Sequence, residues 1–124
     1  MNEETKKLLK RTFDFGVNCL LFLNNLPNQE KFRVPKYQLA KSSTSIGANY
    51  EESQAAESKK DFIHKIGIVL KETRESNYWL RVIEAVSLNN KNIDKITLKQ
   101  LIKESVEFKK IFTIIKINSQ KNDD

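Results

Sequence analysis

Apolar residues recur every three or four positions through four long stretches of this chain, and nowhere do they alternate at length in the two-residue rhythm of a strand. That periodicity confines the chain to amphipathic helices, each with a face to bury. Breakers are scarce enough to let those helices run long: three Gly and two Pro stand among 124 residues. A chain of this length fits one domain, 1–124, and can bury an ordinary core without staples. Hydrophobic residues at 39% beside charged residues at 31% describe a globular fold with a heavily charged surface.

The first helix is expected over about 3–25. Leu9, Phe13, Val17 and Leu20 form its stripe, widened by Leu21 and Leu23. Glu3 and Glu4 suit the positive end of the helix dipole, and Asn24, Asn25 and Pro27 end the run. A loop over 26–34 then puts Pro35 at the first position of a second helix, where its missing N–H costs nothing. That helix, about 35–56, has an interior of small residues: Ala40, Ser42, Ser43, Thr44, Ser45, Gly47 and Ala48. Such residues weaken an isolated helix but let two backbones approach closely, so a close-packing face is expected here.

Ser58 with Asp61 resembles a capping box and opens a third helix over about 59–88. Its main stripe is Phe62, Ile66, Val69, Leu70, Thr73, Leu80 and Ile83. A second stripe lies roughly 120° away: Ile68, Glu72, Glu75, Trp79, Val82 and Val86. One stripe suffices for a helix in a monomeric bundle, so Ile68, Trp79, Val82 and Val86 are expected at a subunit interface, with Trp79 as anchor; the alternative is one broad stripe sitting deep in the same core. Thr97 with Gln100 reads as the cap of a fourth helix, about 97–119. There Leu101, Ser105, Phe108, Phe112 and Ile115 should turn inward, broadened by Ile111, Ile114 and Ile117, and Gln120 to Asp124 should fray. Short loops make neighbours antiparallel, so the expected fold class is all-α: an up-down-up-down four-helix bundle.

Catalytic chemistry finds little to work with. The one His and one Cys fall on different helices, so no metal set and no thiol–imidazole pair is expected. Asp61-x-x-His64 resembles half of a di-iron element, but a second His is missing. Cys19, beside Leu20, Leu21 and Phe22, reads as a core thiol. Glu72 and Glu75 share a face of helix three opposite Asn49, Glu51 and Glu52, and two facing carboxylates could do acid–base work. A structural role, through hydrogen bonds to nearby Ser, Asn, Lys or Arg, is the preferred reading. No cofactor is expected.

The formal charge is +6, and residues 59–124 hold fourteen Lys and Arg against nine Asp and Glu. Lys95, Lys99, Lys103 and Lys110 stand on the fourth helix, the first three spaced by four. Such a stripe favours anionic partners, RNA or DNA, bound with a steep salt dependence. No aromatic residue interleaves with that stripe on its exposed side, so base stacking is not indicated. The longest apolar run, Cys19 to Leu23, is five residues, far short of a membrane span. Met1 to Lys7 does not read as a secretion signal, and the cytoplasm is the expected location.

Ser42-x-x-Ser45-x-x-x-Asn49-x-x-Glu52, followed by Ser58 to Lys65 and Lys71 to Leu80, resembles small bacterial four-helix bundle proteins first noticed in intervening sequences of 23S ribosomal RNA genes. These motifs cover about half the chain, in order. Ser53 follows the double Glu where many members carry Gly. The resemblance implies a four-helix bundle and a homopentamer. Its best understood relatives are accessory proteins of diversity-generating retroelements, whose basic pentamers bind a reverse transcriptase and nucleic acid. It also marks Ser45, Asn49, Glu52, Glu72 and Glu75 as a signature polar cluster. Three readings follow. The first is a non-catalytic oligomeric scaffold that binds nucleic acid through its basic surface, with a protein partner such as a reverse transcriptase. The second is a protein-interaction module with no nucleic-acid role. The third and weakest is an enzyme built on Glu72 and Glu75.

Overall fold

A computed structural model of the protein describes residues 1–121, and within them lie four helices: α1 (Glu3–Asn24), α2 (Glu30–Gln54), α3 (Lys59–Val86) and α4 (Lys95–Lys121). Each start has a local cause. The Asn2 side chain accepts the Thr5 N–H at 2.8 Å. Ser58 Oγ accepts the Asp61 N–H at 3.0 Å, while the Asp61 carboxylate accepts the Glu57 N–H at 3.2 Å. This is the reciprocal cap expected there, with the return bond one residue further back.

Two starts differ from expectation. α2 begins at Glu30, so Pro35 is its sixth residue. Phe32 and Pro35 are both buried, and their packing holds a first turn that proline chemistry alone would not predict. α4 begins at Lys95 because Asp94 is the cap: its carboxylate accepts the Thr97 N–H at 3.0 Å and the Thr97 hydroxyl at 2.6 Å. Thr97 is therefore the capped residue rather than the capping one. At the other end, Gln120 and Lys121 continue α4. The rest of the expected fraying tail, 122–124, lies outside the described residues.

Pairs across the α1–α2 and α3–α4 seams show antiparallel neighbours. Gly16 meets α2 at Ser43 and Thr44, whereas Gly47 meets α1 at Thr12 and Phe13. Along α3 and α4, Gly67 faces Lys116, Asn77 Nδ2 donates to Ser105 Oγ at 2.9 Å, and Glu84 pairs with Lys99. Ser42 and Ser76, both buried, join α2 to α3 through their hydroxyls at 2.9 Å. Phe15 stacks edge-on against Phe108 at 5.4 Å, and Tyr50 against Phe112 at 5.1 Å, which ties α1 and α2 to α4. The small-residue face of α2 thus packs as expected, with Ser42, Ser43 and Gly47 buried.

The stripe of α3 lies where the spacing puts it, with Ile66, Val69, Leu70, Thr73, Leu80 and Ile83 buried. α1 does not follow its expected stripe. Its buried face is Leu8, Thr12, Phe15, Gly16, Cys19, Phe22 and Leu23. Phe13 is 60% exposed and Leu20 45%, with Val17 and Leu21 also outside and Leu9 half-buried. α1 is apolar around more than half its circumference, so spacing alone cannot choose a face. Thr12 makes the inner face look polar, yet its hydroxyl is satisfied by the Leu8 and Leu9 carbonyls, both at 3.0 Å. On α4, Ile111 and Ile115 pack against the core, but Ile114 and Ile117 point outward.

Candidate functional site

The four lysines singled out on α4 are all exposed but do not act as one stripe. Lys95 Nζ donates to the Leu88 carbonyl at 2.8 Å and so closes the end of the α3–α4 connection. Lys99 lies 3.8 Å from Glu84. Lys103 instead borders the depression between α1 and α4, where Asp14, Glu104 and Glu107 stand. Arg11 bridges that seam, both its Nε and Nη2 donating to Glu104, which holds the guanidinium even more firmly protonated than usual. Lys110 makes no ion pair among the described residues.

A wider basic surface emerges where α3 meets α4. Arg81 Nε donates to Asn77 Oδ1 at 2.8 Å, and Asn77 reaches Ser105, so Arg81 stands on the side of α3 next to α4. Arg74 is two turns earlier on the same face. Lys109, one turn after Ser105, and Lys116, against Gly67, flank them from α4. Carboxylates on these two helices lie elsewhere. Glu72 is near Lys41, toward α2, and Glu75 lines a depression with Gln38, Arg74, Tyr78 and Trp79, so it stands beside Arg74 and Tyr78 on the α2 side of them. Glu104 and Glu107 sit near Arg11, toward α1. Asp61 and Asp94 cap helices; the Lys65 ammonium and then the Glu57 N–H hold the Asp61 carboxyl below the usual range, and the Thr97 hydroxyl and N–H do the same for Asp94. Among the described residues only Glu84 shares this seam, and it pairs with Lys99.

Tyr78 adds an aromatic group to this surface. Its ring is 50% exposed. The Arg81 guanidinium lies over it at 5.8 Å, and Trp79 meets it edge-on at 5.0 Å. The spacing Arg74-x-x-x-Tyr78-x-x-Arg81 places all three on one helix face, a signal present in the sequence but passed over beside the lysines of α4.

The second stripe of α3 borders α2. Ile68, Trp79, Val82 and Val86 are all half-buried, and Trp79 and Val86 pack against the core. The signature cluster lies along the same border but makes local bonds. Ser45 Oγ donates to the Lys41 carbonyl at 2.7 Å, and Asn49 Nδ2 donates to the Ser45 carbonyl at 2.8 Å. Glu52 is exposed. Burial, and then the neighbouring Glu75, push the Glu72 carboxyl up, while Lys71 and Lys41 pull it back. Among the described residues no three His, Cys, Asp or Glu gather as a metal would need. No helix among them is long and apolar enough to cross a membrane.

Long helices, a closed core and polar groups spent on caps and seams define an all-α bundle whose distinctive chemistry lies on its surfaces. The chain belongs to the 23S rRNA-intervening sequence protein family, whose model matches residues 4–113. It is also similar to a crystal structure of a protein of unknown function from the S23 ribosomal protein family of Bacteroides thetaiotaomicron. The two are 31% identical with a TM-score of 0.75, over 87% of this chain and 96% of that one. No curated protein matches. Neither the family nor the structural relative points to catalysis.

Proposed function

We propose that this protein is a non-catalytic, oligomeric scaffold that binds nucleic acid along the α3–α4 surface. One observation carries the reading: Arg81, Lys99, Lys109 and Lys116 converge on one seam with Arg74 at its edge, while of the carboxylates of those helices Glu84 alone stands in the seam and Glu75 lies beyond Arg74 toward α2. Segregation of this kind concentrates a modest net charge into a field that attracts phosphates. In a ring of subunits, five by the family resemblance, the seam would repeat.

The subunit contact is assigned to the outward face of α1 and α2. Phe13, Val17 and Leu20 on α1 and Tyr37 on α2, which is 65% exposed, are large apolar groups left outside on these two helices, which cross closely at Gly16 and Gly47. A ring needs two different patches on each subunit. The half-buried α3 stripe of Ile68, Trp79, Val82 and Val86, on the other flank of α2, supplies the second. A second copy of this chain is thus the occupant of the apolar face.

The test is binding of the purified protein to short RNA and DNA across a salt series, with native mass recorded in the same samples. Tight binding at low salt by a species of several subunits, falling linearly on a log–log plot against salt, is the expected result. An oligomer indifferent to both nucleic acids at every salt overturns it. The weight then moves to a protein-interaction module, the second reading.

A further inference from the structure

We infer that Tyr78 is a stacking platform for one base of a single-stranded nucleic acid, with Arg74 and Arg81 holding the phosphates on either side. The inference rests on the reading of the α3–α4 seam as a nucleic-acid surface, and specifies which nucleic acid fits it.

A half-exposed tyrosine on a helix is ordinary by itself. What distinguishes Tyr78 is its setting. Trp79, itself packed on the core, meets the ring edge-on and limits its motion. The Arg81 guanidinium lies over the ring, and its Nε is tied to Asn77, which leaves the terminal nitrogens for a phosphate. Arg74, one turn before Tyr78, is exposed and makes no ion pair among the described residues; neither does Arg81. Neither guanidinium is therefore tied to a carboxylate, although Glu75 lines the same depression as Arg74 and Tyr78, which leaves Arg81 the less opposed of the two. They stand about 10 Å apart along the axis, which leaves room for a strand to run along the helix with a base turned inward between them.

The choice of a single strand follows from what a ring can reach. Bases in a duplex are stacked on one another, so an aromatic side chain on a convex helix finds no free π-face. In a single strand every base offers one. The lysines of α4 would contact phosphates of either form, so they set affinity and salt dependence but not strandedness.

The experiment uses the full chain and three labelled probes of equal length: an oligo(U) RNA, an oligo(dT) DNA and a duplex DNA, each titrated at one low salt concentration by fluorescence anisotropy. Tyr78→Ala weakens both single strands by roughly five- to 150-fold and leaves the duplex within about twofold. Tyr78→Phe, which keeps the ring, binds all three like wild type. Melting of each variant checks the fold, which a half-exposed side chain should not upset. If Y78A binds single strands as well as wild type, loses all three probes equally, or loses only one type of strand, stacking on Tyr78 is overturned while the basic seam stands. If wild type binds none of the probes, the reading of the seam falls as well.

Discussion

Gly47 of α2 lies against the Thr12 backbone of α1 so closely that a Cβ added there would sit 3.2 Å from the Thr12 carbonyl carbon and oxygen. Gly16 makes the reciprocal approach, 3.3 Å from the Ser43 carbonyl oxygen. These are backbone atoms within packed helices and cannot move aside cheaply.

Gly47→Ala should therefore destabilise the protein, although alanine is the better helix former by about 1 kcal/mol. Overpacking outweighs that gain, and the net loss should be about 1–2 kcal/mol, a fall in Tm of roughly 3–10 °C. Gly67 provides the contrast. A Cβ there meets only the Lys116 Nζ at 3.6 Å, the mobile end of a long side chain. Gly67→Ala should raise stability by about 0.5–1 kcal/mol. Thermal melts of the two variants should shift in opposite directions; a stabilised G47A would show that the α1–α2 crossing is looser than its geometry.

The close crossing could be anticipated from the small residues of α2, because small side chains at helical spacing have few other uses. α3 was readable for a related reason: its apolar stripe is bounded by charges. α1 was not, since Phe13, Val17 and Leu20 match helical spacing as well as Leu8, Phe15 and Cys19 do. Only the docking of α2 and α4 decides between them. Asp94 was missed because Thr97-x-x-Gln100 competes as a capping pattern. The α3–α4 seam is a product of tertiary register: nothing in sequence distance brings Arg81 beside Ser105.

Cys19 is fully buried, and loss of solvation pushes its thiol up to about 12. At pH 8 only ~0.01% would be thiolate, against about a quarter for an ordinary thiol, so the folded protein should barely react with a disulfide reagent. Reaction should be complete within moments in denaturant. Because the folded value is the higher one, the contribution is whole below about pH 7.5, where the unfolded thiol is still protonated. It shrinks by about 1.4 kcal/mol per pH unit as pH rises toward 12. Cys19→Ala should lack that part of the alkaline loss. Fast labelling of the native protein would contradict a sealed core at this position.

Glu72 should oppose stability at neutral pH. Burial and Glu75 raise its carboxyl in the folded state, so the unfolded chain ionises first as pH rises. The folded state is favoured by this group below the ordinary glutamate range and loses that advantage on the way to neutrality. Glu72→Gln should melt higher than wild type at pH 7, and the gap should close at pH 4. An unchanged or lower Tm at pH 7 would mean that Lys41 and Lys71 outweigh burial.

Phe13 separates the core from the subunit contact. Were it the core residue its spacing implies, Phe13→Asp would remove a buried ring, insert a charge and cost well over 3 kcal/mol. Being 60% exposed in the single chain, it should instead cost the protomer about 0.5 kcal/mol or less. The assembly should respond differently. An aspartate on each copy's apolar face must be desolvated in every contact, so F13D should dissociate the oligomer to folded monomers at micromolar concentration. Trp79→Ala, on the opposing patch, should weaken assembly as well, but with some loss of protomer stability because Trp79 also packs on the core. Native mass and a thermal melt on both variants read the two effects independently. A folded F13D protein that keeps its full oligomeric mass would remove α1 from the interface and leave the α3 stripe as the place to look.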